Sequence, residues 1–192
     1  LRTRTGGAEA MGLINANLPS LDTKPGNIMV VDNRAITADR VRGALDGRHD
    51  VTIVTDGQQA IELCAQNDPP FELVVISLDM EGVDALRVCS QLKSLETTRQ
   101  TPILLIVDPD DHQRLLRALD MGVNDYLIRP VDHQELQARV NTQIRRFRYT
   151  EQLRKSVQAS MEMAVTDSLT GLFNRRYLET HLAQLVGHAI NR

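Results

Sequence analysis

Five short apolar runs, separated by longer amphipathic stretches, constrain the fold of this chain more than any other feature. The runs consist mostly of β-branched residues and leucine, which is typical of buried strands; they lie at residues 28–31, 51–54, 73–76, 103–107 and 126–128. Apolar residues at spacings of three and four predict helices between them, at residues 36–45, 58–65, 85–95 and 114–121. This alternation predicts an α/β fold, a five-stranded parallel sheet with helices on both faces.

Composition narrows the class of protein. Hydrophobic residues make up 42% of the chain and charged residues 24%, and the formal net charge is -3, which gives no general attraction to DNA. No stretch approaches the roughly 20 apolar residues of a membrane span, so we expect a cytoplasmic protein. Cys64 and Cys89 have no CxxC or His-rich neighbourhood, and we expect both to be buried free thiols.

The last apolar pattern is unusually long. One apolar stripe contains Leu136, Val140, Ile144 and Phe147, and a second, slightly rotated stripe contains Leu153, Val157, Met161 and Ala164. No Gly or Pro occurs between residues 131 and 170. The pattern predicts one helix of about 30 residues, whose second half should pack against a partner, most simply a second copy of the chain.

Polar residues follow several of the predicted strands, at the edge where ligands bind to parallel sheets. Asp32 and Asn33 follow the first strand, Ser77 the third, Asp108 the fourth, and Arg129-Pro130 the fifth. We therefore expect the functional site, if one is retained, at the carboxyl ends of these strands.

The string Ile-Met-Val-Val-Asp at residues 28–32 and the string Gly-Val-Asn-Asp-Tyr-Leu-Ile-Arg-Pro at residues 122–130 resemble the receiver domain of two-component response regulators. The resemblance covers roughly residues 27–145 and implies the CheY- or flavodoxin-like fold, with phosphorylation of an aspartate beside a bound cation. Matched to that motif, the acidic pair is Asp32-Asn33 and the phosphoacceptor position is Ser77. The hydroxyl position is Asp108 and the lysine position is Arg129. Only Asp32 is intact, so the resemblance implies a degenerate site without cofactor or metal.

The substitutions are chemically consistent with one another. A serine hydroxyl is a poor nucleophile without an adjacent base, which argues against phosphotransfer to Ser77. Asp108 and Arg129 carry opposite charges on adjacent strand ends, and we predict a salt bridge between them. The planar guanidinium can bind a carboxylate through two hydrogen bonds, so the pair can be bidentate. The receiver resemblance also implies a cis Arg129-Pro130 peptide bond. Asp79, two residues after Ser77, is the alternative phosphoacceptor.

The carboxyl-terminal part contains the string Asp-Ser-Leu-Thr-Gly-Leu-Phe-Asn-Arg-Arg-Tyr at residues 167–177. By its residues alone, the segment predicts a helix hairpin with a basic corner. The string also resembles the entry segment of a GGDEF domain, which condenses two GTP molecules into cyclic di-GMP. We therefore expect a linker at 1–26, a degenerate receiver at 27–145, a signalling helix at 146–166 and the start of a GGDEF domain at 167–192. The sequence ends at Arg192 without a GG(D/E)EF string, so we expect no cyclase activity from this chain, and Mg²⁺ and GTP only in the cyclase domain.

Three functions remain open. The first is a non-enzymatic adaptor that forms a homodimer and passes the state of an upstream receiver to a downstream GGDEF domain; the second is a true phosphoreceiver that uses Asp79. The third is a cyclic di-GMP-binding module, for which Arg40 is the candidate contact. The surface expected for dimerisation carries charges of both signs, namely Arg114, Arg117, Asp120, Asp125 and Arg139.

Overall fold

The computed structural model describes residues 24–66 and 69–165. Within them, strands and helices alternate along the chain. The strands are β1 (Asn27–Val31), β2 (Asp50–Val54), β3 (Leu73–Ser77), β4 (Ile103–Val107) and β5 (Asp125–Ile128). The helices are α1 (Ala35–Leu45), α2 (Gly57–Gln66), α3 (Ala85–Ser94), α4 (His112–Asp120) and α5 (His133–Val165).

The five strands form one sheet in the order β2-β1-β3-β4-β5, and every pairing in it is parallel. Strands β3 and β4 are buried along their whole length, because helices cover both faces of the sheet at its centre. The predicted α/β fold is confirmed. The chain first builds the sheet outwards from β1 to β2, and then returns to the other side of β1 to add β3, β4 and β5. The carboxyl ends of β1 and β3, where this change occurs, therefore border a crevice.

Two apolar clusters fill the two sides of the sheet. Helices α2, α3 and α4 pack on one face through small and medium side chains such as Ala60, Val88 and Ala118. Helices α1 and α5 pack on the other face, where Val41 and Val140 contact side chains of β1, β3 and β4. Successive residues of each strand supply the two clusters in turn, since strand side chains alternate between faces.

Helix α5 is 33 residues long, close to the predicted length. The first predicted stripe supplies Leu136, Val140 and Ile144 to the core, and each of these side chains is at most 3% exposed. In the second stripe, Leu153, Val157 and Met161 are exposed. The chain divides into two units after residue 148. The predicted linker before residue 24 and the predicted GGDEF segment lie outside the described residues.

The two cysteines are buried free thiols, as expected. Burial raises the pKa of both Cys64 and Cys89 to about 12, so neither is a reactive thiolate at neutral pH. Of the helices that the structure describes, none combines the length and apolar character needed to cross a membrane.

Candidate functional site

Four of the predicted site residues meet at the carboxyl edge of the sheet. Asp32 directly follows β1, Ser77 is the last residue of β3, Asp108 follows β4, and Arg129 follows β5. Asp32 and Ser77 are each only 1% exposed. Ser77 was expected just after its strand, but it is part of the ladder and pairs with Ile106 of β4. Its hydroxyl is therefore held in place by the sheet itself.

Arg129 connects these strand ends. Its Nη1 donates to Asp108 Oδ1 at 3.0 Å, and its Nη2 donates to Ser77 Oγ at 3.1 Å. The same Nη2 lies 3.6 Å from Asp32 Oδ2, the oxygen that accepts the hydrogen bond donated by the Ser77 hydroxyl. We call Asp32, Ser77, Asp108 and Arg129 the strand-end cluster. It joins β1, β3, β4 and β5 through hydrogen bonds and charge.

The predicted Asp108 to Arg129 salt bridge is confirmed by the 3.0 Å contact. The possibility of bidentate geometry is not realised in the recorded contacts, because the second nitrogen of the guanidinium turns towards Ser77 and Asp32. This difference has a physical reason: Asp108 is 34% exposed, whereas Asp32 is buried and needs a compensating positive charge more. The Arg129-Pro130 peptide bond is cis, as the resemblance implied.

Asn33 and Asp79 lie beside the cluster and have other partners. The Asn33 side chain donates to the Glu81 carbonyl at 2.6 Å and accepts from the Glu81 amide at 3.3 Å. Asp79 has 51% side-chain exposure and pairs with Arg34 Nη1 at 2.8 Å. The carboxylate of Asp79 thus faces Arg34 at the rim of the crevice, whereas Ser77 occupies its interior.

Arg34 and Arg114 are site residues that the sequence analysis missed. Arg34 donates its backbone N–H to Asp32 at 2.9 Å, and its Nε lies 3.8 Å from the same carboxylate. Arg114 of α4 donates to the Leu78 carbonyl at 2.8 Å and pairs with Asp111 at 3.1 Å. A signal was present for Arg34, because it follows Asp32-Asn33 at a strand end. Arg114 had been assigned only to the dimer surface.

The residues of the crevice do not fit a divalent cation. Such a cation needs several oxygen ligands, mainly carboxylates, with room for water. Asp32 is the buried carboxylate here, and its Oδ2 accepts from Ser77 and faces a guanidinium. Among residues 24–66 and 69–165, no three His, Cys, Asp or Glu side chains are grouped as metal ligands would be. A cation at Asp32 would have to displace the positive charge of Arg129.

Two further groups of predicted residues lie outside the cluster. Arg40 borders a cavity of about 70 Å³ between α1 and the start of α5, which Arg129 also lines. On the expected dimer surface, Arg139 bonds to Asp125 at 2.7 Å and to Glu135 at 2.8 Å, and these contacts raise its pKa, Glu135 contributing most. Arg117 and Asp120 are exposed on α4.

The parallel sheet, its crevice and the polar strand ends define a signalling receiver. The family model described as "Response regulator receiver domain" matches residues 28–141, and the chain belongs to this family. It is similar to the response regulator PleD of Caulobacter vibrioides, with 44% identity over 189 residues, covering 98% of this chain and 41% of PleD. The chain thus spans about two fifths of that relative's length.

More distant proteins match a smaller share of the chain. The transcriptional regulatory protein HprR of Escherichia coli is 29% identical over 118 residues, covering 62% of this chain and 51% of HprR. The crystal structure of a putative response regulator from Chloroflexus aurantiacus superposes with a TM-score of 0.59 at 24% identity, covering 63% of this chain and 98% of that one. That structural likeness supports the fold.

Proposed function

We propose that this chain is a pseudo-receiver, an adaptor and dimerisation module that does not accept a phosphoryl group. The observation that carries the proposal is the strand-end cluster, in which Arg129 takes the place that a bound cation and a phosphoryl group would need. Ser77 stands at the acceptor position, and its hydroxyl is buried and committed to Asp32 and Arg129. Asp32 lies within reach as a base for this hydroxyl, which the sequence did not reveal, but at 1% exposure Ser77 is closed off from a phosphodonor.

The adaptor would act through its surfaces. Leu116 and Leu119 of α4 are 49% and 37% exposed, next to the exposed charges of Arg117 and Asp120. Apolar side chains flanked by charges of both signs suit a two-fold symmetric contact, in which one patch meets its own copy. Arg139 and Asp125 support this surface from within by pairing with each other. We propose a homodimer through this face of α4.

The role of the parent protein follows from similarity to PleD and from the GGDEF-like string at residues 167–177. We propose a cytoplasmic response regulator whose full-length form is a diguanylate cyclase, with an upstream receiver and a downstream GGDEF domain as partners of this chain. Mg²⁺ and GTP would be used in that downstream domain. Two cyclase domains must meet to join two GTP molecules, so controlling dimerisation would control activity.

Cyclic di-GMP binding is a second candidate function, favoured by the cavity that Arg40 and Arg129 line. Two guanidinium groups can attract a phosphate. The cavity volume of about 70 Å³ is far below the roughly 300 Å³ at which small-molecule pockets begin, so it would admit part of the ligand. Calorimetry with cyclic di-GMP on the wild type and on Arg40→Ala tests this candidate. A heat of binding that Arg40→Ala removes would support binding at this cavity. No heat with the wild type, or the same heat with both proteins, would count against it.

The adaptor proposal is tested with beryllofluoride and Mg²⁺, which together mimic an aspartyl phosphate in receivers. We expect no chemical-shift change in amide spectra of the wild type at the strand ends. A triple variant, Asn33→Asp, Ser77→Asp and Arg129→Lys, supplies the carboxylates and the lysine, and we expect it to bind Mg²⁺.

Stable modification or tight Mg²⁺ binding by the wild type would overturn the adaptor proposal. In that event, Asp79→Asn separates the two acceptors. Loss of modification in Asp79→Asn would identify Asp79 as the phosphoacceptor. Modification that persists in Asp79→Asn would point to Ser77 as the acceptor. The triple variant serves as the positive control, because it shows that the reagents and the fold are competent.

A further inference from the structure

The amino edge of the sheet carries a second ion pair, which is partly buried and lies at the opposite end of the strands from the strand-end cluster. Arg148 of α5 donates to Glu72 twice, from Nε to Oε1 at 2.7 Å and from Nη2 to Oε2 at 2.7 Å. The side chains of Arg148 and Glu72 are 12% and 19% exposed. Because two parallel hydrogen bonds fix both distance and orientation, the pair holds α5 against the start of β3.

The same guanidinium contacts the segment that leads into β1. Its Nη1 donates to the Lys24 carbonyl at 3.1 Å, and its Nη2 donates to the Pro25 carbonyl at 2.9 Å. Glu72 completes the junction by accepting the backbone N–H of Asn27 at 3.2 Å. One ion pair therefore holds both the chain that enters the domain and the helix that continues beyond it.

Gly26 brings this entering segment directly against α5. A Cβ at Gly26 would lie 2.4 Å from Cδ1 of Ile144 and 3.1 Å from Nδ1 of His49. The Gly26 N–H donates to that same His49 nitrogen at 3.1 Å. A side chain at position 26 would have to displace either the buried Ile144 side chain or the entering segment, so the substitution perturbs this contact.

We propose that Arg148 is a positioning residue that couples the entering segment, residues 24–27, to helix α5. A displacement of residues 24 and 25 removes two of the carbonyl acceptors that orient Arg148, and a displacement of α5 withdraws the guanidinium from those carbonyls. This inference deepens the adaptor function proposed above, because it names a route by which an upstream domain would act on the signalling helix. The coupling is mechanical and needs neither a cation nor a phosphoryl group.

Amide hydrogen exchange on the 192-residue chain tests the coupling in both directions. Gly26→Ala perturbs the entering segment, and we expect exchange to become at least about ten-fold faster in residues 149–156 of α5. Arg148→Gln perturbs the helix, and we expect a similar acceleration at the amides of residues 26 and 27. Amides of β3 and β4 should keep their protection in both variants.

Arg154→Gln is the matched control, since it makes the same substitution on the same helix. Arg154 is 60% exposed and pairs with Glu151, three residues away on the same helix, at 3.1 Å. We expect it to leave the exchange of residues 26 and 27 unchanged, because an exposed local pair holds nothing distant.

The coupling is refuted if each perturbation stays local, with Gly26→Ala affecting only residues 24–28 and Arg148→Gln affecting only α5. If Gly26→Ala also accelerates amide exchange in β3 and β4, Glu72→Gln becomes the deciding variant, because it preserves the size of the side chain. That variant must accelerate both segments together, and acceleration of one alone refutes the inference. Beryllofluoride plays no part in these measurements, so their outcome is independent of the test of the pseudo-receiver.

Discussion

Replacement of Arg129 by alanine is the sharpest perturbation of the strand-end cluster. The variant would remove the closer of the two cations beside the 1% exposed carboxylate of Asp32, at 3.6 Å, and leave Arg34 at 3.8 Å; it would also remove the donor to Ser77 at 3.1 Å. Removing one partner of a buried ion pair costs about 3–5 kcal/mol. The cost here should be lower, because Asp32 keeps the Ser77 hydroxyl and the Arg34 backbone N–H as donors.

The contact with Asp108 adds little to this cost, since that carboxylate is 34% exposed and can be solvated when Arg129 is lost. We therefore expect Arg129→Ala to lower the free energy of unfolding by about 2–3 kcal/mol. With an entropy of unfolding of about 2.1 cal/mol/K per residue over roughly 120 residues, a loss of ~2.5 kcal/mol lowers the melting temperature by about 10 °C. Urea denaturation followed by circular dichroism measures the free energy, and thermal melts measure the temperature.

A second substitution separates the buried charge from lost packing. In the Arg129→Ala background, Asp32→Asn should restore part of the stability because it removes a buried charge that has lost its closer cation, whereas in the wild type it should destabilise because it removes a charge with both cations in place. Arg117→Ala, on the exposed face of α4, is the control and should change the free energy by less than about 0.5 kcal/mol. Arg129 does not compensate the charge of Asp32 if Arg129→Ala is as mild as Arg117→Ala, or if Asp32→Asn destabilises both backgrounds equally.

Two more measurements follow from the packing. Burial lowers the pKa of His49 from 6.5 and outweighs the side chain of Asn141, which raises it; Arg148 and Arg48 lower the pKa further, and Glu72 raises it. The fold favours the neutral form of His49, so its contribution to the free energy of unfolding should be fully present above about pH 6.5 and should be lost as the pH falls towards the lowered pKa. Urea titrations at pH 7.5 and 5.5 should therefore show a smaller loss of stability in His49→Gln than in the wild type. Gly57→Ala would place a Cβ 2.5 Å from Val88 Cγ2 and should lower the melting temperature, whereas Gly43→Ala, with nothing within 4 Å of its Cβ, should raise it slightly. Equal shifts for the two glycine variants would show that the close contact carries no cost.

The fold was predictable because burial on both faces of a parallel sheet leaves a direct mark on the sequence. Runs such as residues 103–107 are apolar throughout, and the stripe at Leu136, Val140 and Ile144 has the spacing of a helix with one buried face. The start of α4 was less predictable, since the helix begins at His112 in a polar stretch without apolar periodicity. A polar first turn shows no apolar periodicity, so the sequence does not reveal the residue at which such a helix begins.

The site was predictable only where strand ends determine it. Asp32, Ser77, Asp108 and Arg129 each adjoin an apolar run, so the parallel topology alone brings them together. The division of the Arg129 guanidinium between Asp108 and Ser77 depends on rotamers and relative burial, which spacing does not encode. The pairing of Glu72 with Arg148 spans 76 positions and follows no local pattern, so only the assembled structure reveals it.

The guanidinium of Arg129 differs chemically from an aspartyl phosphate and from a bound cation, and this difference affects how a pseudo-receiver would pass on a signal. An aspartyl phosphate is transient, because it hydrolyses, and a bound cation exchanges with solvent. The guanidinium of Arg129 does neither, because it is a covalent part of the chain. With Arg129 paired to Asp32 and Asp108, the charge at the carboxyl edge of this sheet would not change through phosphorylation or cation binding. On the adaptor proposal, any change of state must then enter from outside the site, and the junction of Arg148 with residues 24–27 is where the chain that leads into β1 contacts the helix.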